Sequence, residues 1–205
     1  MKSVGQAVIA AALLMSVSAF GQSVEEDNVD FVLGGGLLFS SGYSDYVDDV
    51  YGPLYGTDGG EGWLDLYVGV EIRPAAQFGI LLGCDMMING VDASGGPLAE
   101  TYANVIMMPS VYGQLYFTEK RMFYVNAGIG LPLPETGSDY FEFENNGLSL
   151  GANLGVEIAD VLRIEGGYLF IPVTAKATAG NPVYLPGSQE DYDFGGLIIR
   201  MLLAF

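Results

Sequence analysis

The sequence predicts an all-β chain folded as an eight-stranded antiparallel up-and-down transmembrane β-barrel. Three observations predict it. Apolar and polar residues alternate with period two through eight stretches of about 9–13 residues. The links between the stretches are alternately very short and long. The polar faces are crowded with Gly, Asn, Ser and Tyr, whereas the apolar faces carry no charge in any strand core.

The alternation begins only after an N-terminal leader. Lys2 precedes the apolar run Ala7–Val17, and Ala19-Phe20-Gly21 supplies small residues at a cleavage site. This is the pattern of a secretory signal peptide, and the run is well short of the ~20 residues that span a bilayer as a helix. Residues 1–21 are therefore expected to be cleaved, leaving 22–205 as the barrel domain; a cut after Ala19 also fits.

Each strand is justified by its two faces. Val29, Phe31, Leu33, Leu37 and Phe39 oppose Asp30, Gly34, Gly36 and Ser40 in the first. The second sets Leu64, Leu66, Val68, Val70 and Ile72 against Asp65, Tyr67, Gly69 and Glu71. In the third, Phe78, Ile80, Leu82, Cys84, Met86 and Ile88 oppose Gly79, Gly83 and Asp85. The fourth, from about Tyr102 to Phe117, turns Val105, Met107, Val111, Leu115 and Phe117 away from Asn104, Ser110, Tyr112, Gln114 and Tyr116. Phe123, Val125, Ala127, Ile129 and Leu131 oppose Tyr124, Asn126, Gly128 and Gly130 in the fifth. The sixth has Leu148, Leu150, Ala152, Leu154, Val156 and Ile158 opposite Ser149, Gly151, Asn153, Gly155 and Glu157. Leu162, Ile164, Tyr168 and Phe170 oppose Arg163, Glu165 and Gly167 in the seventh. In the last, Leu197, Ile199, Met201, Leu203 and Phe205 oppose Gly196, Arg200 and Ala204.

Sandwiches and lipocalin-like barrels also alternate, but their water-facing side usually carries Lys, Glu and Thr. A Gly- and Tyr-rich polar face fits the inside of a narrow barrel whose apolar face meets lipid. Pro109 falls inside the fourth strand and is expected at a bulge or an interrupted ladder position.

The links supply a second test. Short turns are expected around Pro74-Ala75-Ala76, Thr118-Glu119-Lys120-Arg121 and Ala159-Asp160-Val161, and long loops at about 41–62, 89–101, 132–147 and 172–193. A turn centred on Asp160 pairs Ile158 with Leu162 outside and Glu157 with Arg163 inside. The same parity sets Ile72 against Phe78 and Tyr116 against Tyr124. Outward Phe31, Phe78, Phe117, Phe123 and Phe205 gather at the short-turn end, and Phe39, Tyr168 and Phe170 at the other, as two aromatic girdles would.

The leader, the eight amphipathic strands and the C-terminal Leu-Leu-Ala-Phe ending resemble the small outer-membrane β-barrel families of the OmpA transmembrane-domain, OmpX and OmpW type. The resemblance implies a barrel in outer-membrane lipid, with extracellular loops and both termini periplasmic. Phe205, with Leu203, Met201 and Ile199 on one face, is similar to the C-terminal signal read by the barrel assembly machinery. The likeness spans nearly the whole mature chain and is carried by architecture, not by a catalytic or binding motif.

Composition narrows function. The 205 residues are 50% hydrophobic and carry a net charge of -18, so binding to nucleic acid through phosphates is disfavoured. The absence of His removes Ser-His-Asp and Cys-His catalysis and His-ligated metals, and with them the His-dependent barrel enzymes. Neither an enzymatic activity nor a cofactor or metal site is expected. The single Cys84 excludes an internal disulfide.

Fourteen of the 25 acids fall in the four long loops, offset there only by Lys176. Solvation explains most of this charge. Divalent cations could also associate with it, although Asp58-Gly-Gly-Glu61 lacks the spacing of a dedicated calcium loop. Tyr43, Tyr46, Tyr51, Tyr55 and Trp63 suit the first loop to adaptable protein recognition, with plain surface-loop padding as the simpler reading.

Glu71, Asp85, Glu157, Arg163, Glu165 and Arg200 are expected to point into the lumen as a charge network. Charges in a low-dielectric interior must pair. Glu157–Arg163 follows from the turn register, and Glu165–Arg200 from neighbouring strands. An interior only wide enough for side chains argues for a plug and against a general diffusion pore. The expected role is structural and interactive, acidic loops above a plugged barrel. The alternatives are a narrow gated pore, or an OmpW-like conduit for hydrophobic small molecules lined by Leu38, Leu81, Met87, Ile106, Met108, Leu169 and Ile171. A soluble lipocalin-like binder would need the apolar faces turned inward.

Overall fold

The structure, a computed structural model, describes residues 29–48, 62–92, 101–117, 122–159, 161–181 and 184–205. The expected signal peptide, Tyr51, Tyr55, Asp58, Glu61 and the Thr118–Arg121 turn lie outside them. The elements are β1 (Val29–Phe39), α1 (Ser41–Tyr46), β2 (Gly62–Ala75), β3 (Phe78–Asp92), β4 (Thr101–Tyr116), β5 (Phe123–Gly130), β6 (Leu133–Thr136), β7 (Phe141–Asn145), β8 (Ser149–Ile158), β9 (Leu162–Phe170), β10 (Pro172–Ala177), β11 (Gln189–Asp193) and β12 (Gly196–Ala204).

β1, β2, β3, β4, β5, β8, β9 and β12 pair in that order, every neighbour antiparallel, and β12 returns to β1 to close a barrel. These are the eight expected strands. A circuit of ladder partners from Phe39 runs through Leu197, Tyr168, Ala152, Ala127, Gly113, Ile80 and Ile72. It comes back to β1 at Val29, ten residues from its start. Eight strands with that stagger tilt by roughly 40° and enclose a radius of roughly 8 Å. Side chains fill such an interior.

The apolar side chains look outward. Leu66, Leu154 and Ile199 are 40%, 67% and 58% exposed, whereas a soluble barrel would have packed them against one another at its centre. The girdle aromatics Phe31, Phe78, Phe117, Phe123 and Phe205, and Phe39, Tyr168 and Phe170, are all exposed. Inside, tyrosines lie across the glycines of neighbouring strands. A Cβ on Gly83 would strike Tyr67, one on Gly128 or Gly151 would strike Tyr112, and one on Gly155 would fall on the Tyr124 ring. Gly155→Ala is therefore expected to cost about 1–3 kcal/mol by overpacking, read as a lower urea midpoint in detergent. Gly113→Ala, facing outward with nothing closer than 3.9 Å to its added carbon, should leave the midpoint unchanged.

Two expected turn registers hold: Glu157 pairs with Arg163 beside Ile158–Leu162, and Tyr116 pairs with Tyr124. The third is corrected. Ile72 pairs with Ile80 and Ala75 with Phe78, across a bulge that carries β2 past Ile72 and moves the turn to Ala76–Gln77. The extra length brings Arg73 into the barrel mouth, 8% exposed. Pro109 sits in an unbroken β3–β4 ladder opposite Cys84. Its carbonyl accepts from Leu131 N–H at 2.9 Å, so its missing donor faces the Leu131–Pro132 gap between β5 and β6. The interruption is on the β5 side.

Two of the long links, 132–147 and 172–193, carry further strands. β7, β10 and β11 form a three-stranded antiparallel sheet above the barrel, and α1, capped by Ser40 Oγ accepting from Tyr43 N–H at 3.0 Å, packs beside β11. One face of this sheet carries Phe141, Phe143, Val173, Ala175, Ala177 and Tyr192, the other Glu142, Glu144, Thr174, Lys176 and Asp191. The apolar face closes over the loop end of the lumen. There Tyr43, Tyr46, Trp63 and Phe194 are fully buried among Leu38, Met87, Ile106, Met108, Leu169 and Ile171. Tyr43 meets Trp63 and Phe194 edge-on at 5.0 and 5.2 Å, a favourable aromatic geometry. The reading of Tyr43, Tyr46 and Trp63 as surface-recognition residues is thus corrected: they are the core of a cap.

Candidate functional site

Strand alternation aims every second side chain of the barrel at its axis, and the charges among them collect below the aromatic cap. Glu71, Asp85, Glu157, Arg163, Glu165 and Arg200 all lie in the lumen and are buried. Asp30, Asp65 and Arg73 join them. Alternation had already placed Asp30 and Asp65 on the polar face. Carrying the β2 alternation one step beyond Ile72 would have found Arg73.

Arg163 is the hub of the short-turn end. Its Nε donates to Glu157 at 2.8 Å, and its Nη2 to Glu71 at 2.7 Å and Asp30 at 3.5 Å. Arg73 holds the other Asp30 oxygen at 2.8 Å. Glu71 also accepts from Tyr116 Oη at 2.7 Å and Gln114 Nε2 at 3.4 Å. One guanidinium therefore ties β9 to β8, β2 and β1, and the Glu71 carboxylate extends the tie to β4.

Arg200 is the second hub, nearer mid-barrel. Its Nε donates to Asp65 at 2.7 Å, its Nη2 makes a short ion pair with Asp85, and its guanidinium stands 5.5 Å from the Tyr67 ring centre. Ser110 Oγ completes the Asp85 shell at 3.3 Å. The expected Glu165–Arg200 ion pair is corrected. The two are ladder partners, yet Arg200 reaches across to β2 and β3. Glu165 instead accepts from Tyr124 Oη at 2.9 Å and Asn126 Nδ2 at 3.0 Å, and Asn153 braces Asn126 at 2.8 Å. Two carboxylates already fill the Arg200 fork, and amide and phenol donors satisfy Glu165 where it lies.

The network thus includes a side chain from each of the eight barrel strands. Among the described residues it sets six carboxylates (Asp30, Asp65, Glu71, Asp85, Glu157, Glu165) against three guanidiniums (Arg73, Arg163, Arg200). Geometrically it is a cross-brace. A buried ion pair contributes little net stability over an apolar filling, but removing one partner strands the other at high cost.

The loop acids are dispersed. Asp193 Oδ1 accepts from Ile171 and Gly195 N–H at 2.8 Å, Asp191 takes the Thr174 hydroxyl at 2.6 Å, and Glu144 pairs with Lys176 at 3.2 Å. No group of three or more Asp, Glu or Cys among the described residues could hold a metal ion. Compared with known proteins, the chain matches no family model and no curated protein.

Proposed function

We propose that this chain is an outer-membrane protein whose role is structural and interactive: a plugged barrel that anchors a folded acidic cap at the cell surface. The observation that carries the reading is the inversion of the barrel, with half-exposed Leu, Ile and Phe around its outside and its ion pairs sealed within. In lipid this arrangement satisfies the backbone by closure and keeps charge off the hydrocarbon. The short turns and both termini lie on the periplasmic side in this reading, and the cap lies outside the cell. Phe205, exposed and paired through its backbone with Phe31, ends the strand that the barrel assembly machinery would engage.

A narrow cation-selective passage is the second reading, favoured by the lumen's excess of carboxylates over guanidiniums. The aromatic cap weighs against it, and against a hydrophobic conduit, because Leu38, Met87, Ile106, Met108, Leu169 and Ile171 belong to one buried cluster with Trp63 and Phe194. Stable cation-selective planar-bilayer conductance that rises in a folded Arg200→Ala variant would establish the passage instead.

Gel mobility and surface proteolysis test the first reading together. The unheated membrane fraction should run faster than the boiled one. Protease added to whole cells should cut near Leu185, which is 80% exposed, while the Ala76–Gln77 turn stays protected. Cleavage of that turn from outside, or a chain that stays in solution without detergent, would defeat the proposal.

A further inference from the structure

The apolar face of the cap sheet carries one charged residue. Alternation along β11 sends Gln189 and Asp191 to the acidic face with Glu142 and Glu144, and Glu190 to the aromatic face with Tyr192 and Ala175. The sheet's Lys176 is engaged on the opposite face by Glu144 at 3.2 Å. Glu190 consequently has no Lys or Arg partner among the described residues; it accepts from the Tyr192 hydroxyl at 3.2 Å. Beside it is an open cleft of about 60 Å³ lined by Phe141, Tyr184, Tyr192, Ala175, Ala177 and Glu190, with Ser188 and Gln189 from the β11 end. Phe141 and Tyr184 stand 6.1 Å apart at 62°, so two of its walls are rings at different inclinations.

We propose that this cleft binds a small organic ammonium cation, its head set among the Phe141, Tyr184 and Tyr192 rings and facing the Glu190 carboxylate. Aromatic faces attract a weakly hydrated cation through their quadrupole, and a carboxylate beside them adds a full charge. A hard divalent ion would want several oxygen ligands and finds one carboxylate. An anion would meet Glu190 and the acids of the sheet, which has a single lysine. A cleft of this size admits a headgroup, not a whole drug-sized ligand. The inference rests on the surface-cap reading only for its place outside the cell. Binding is measurable on the folded chain in micelles whether or not that reading holds.

The experiment uses the full chain refolded in a non-ionic detergent, because choline-headed detergents would occupy the cleft. Choline is titrated beside 3,3-dimethylbutan-1-ol, its uncharged isostere, with saturation-transfer NMR as readout. Choline should saturate, and the isostere should bind about five-fold more weakly or less. Glu190→Gln should weaken choline about three- to five-fold and leave the isostere unaffected. Tyr184→Leu should weaken choline by a similar factor, with the unheated gel mobility confirming the fold of both variants. Phosphocholine separates the sources: binding weaker than choline marks a free cation, and equal or tighter binding marks a headgroup borne by a lipid or surface glycan. Equal affinity for choline and its isostere, undiminished choline binding by Glu190→Gln, or no saturation at all would overturn the proposal.

Discussion

Arg200→Leu is expected to cost the barrel about 3–5 kcal/mol, because it leaves the Asp65 and Asp85 carboxylates buried without their shared cation. Both acids are fully buried, and among the described residues the one other side-chain donor to either is Ser110 Oγ, 3.3 Å from Asp85. The loss would appear as a lower urea midpoint in detergent micelles and a smaller fast-migrating fraction in unheated samples. A charge-removal rescue separates electrostatics from lost packing: Asp65→Asn with Asp85→Asn should restore much of the midpoint in the Arg200→Leu background. The same pair of changes in the parent chain should destabilise it, since the cation is then stranded. An Arg200→Leu barrel as stable as the parent would mean that the cross-brace contributes nothing to the fold.

Leu154→Arg probes the opposite face and has the next-largest expected effect. Leu154 is 67% exposed at the middle of β8, opposite Val125 and Gly166. In hydrocarbon, an arginine near the midplane of a barrel costs about 2–4 kcal/mol. On a water-facing surface the same substitution stays within about 0.5 kcal/mol. Equilibrium folding into lipid vesicles should therefore fall sharply for Leu154→Arg. It should hardly change for Leu185→Arg, which alters a residue 80% exposed in the cap. If both variants fold like the parent, the outward leucines do not face lipid.

Most of the barrel was legible because alternation is local. A residue's parity decides its face, and three short turns are enough to propagate parity around the wall. The weak point was the turn after β2. A bulge there adds one residue and nothing in Pro74-Ala75-Ala76 marks it, so the sequence ends the strand at Ile72, one inward position short of Arg73. The cap was legible in part. Phe141-Glu142-Phe143-Glu144 and Val173-Thr174-Ala175-Lys176-Ala177 alternate as plainly as the barrel strands do. They are short, however, and although β10 and β11 are chain neighbours, β7 reaches β10 only across the intervening β8 and β9, so sequence proximity did not signal the whole sheet. Once that sheet exists, its apolar face needs cover, and Tyr43, Tyr46 and Trp63 supply it.

By itself the sequence determined the number of barrel strands, the face of each of their side chains and the lumen charges apart from Arg73, since a period of two admits only two answers per residue. Partner choice inside the lumen was decided by the tertiary structure. An extended arginine reaches about as far as the radius of roughly 8 Å that eight strands enclose. Arg163 accordingly bonds its turn neighbour Glu157 and, across the barrel, Glu71, while Arg200 passes over its ladder partner Glu165 to reach Asp65 and Asp85. Pairing of β12 with β1 brings those groups, two or three strands apart around the wall, within bonding distance, and distance along the chain carries no trace of it.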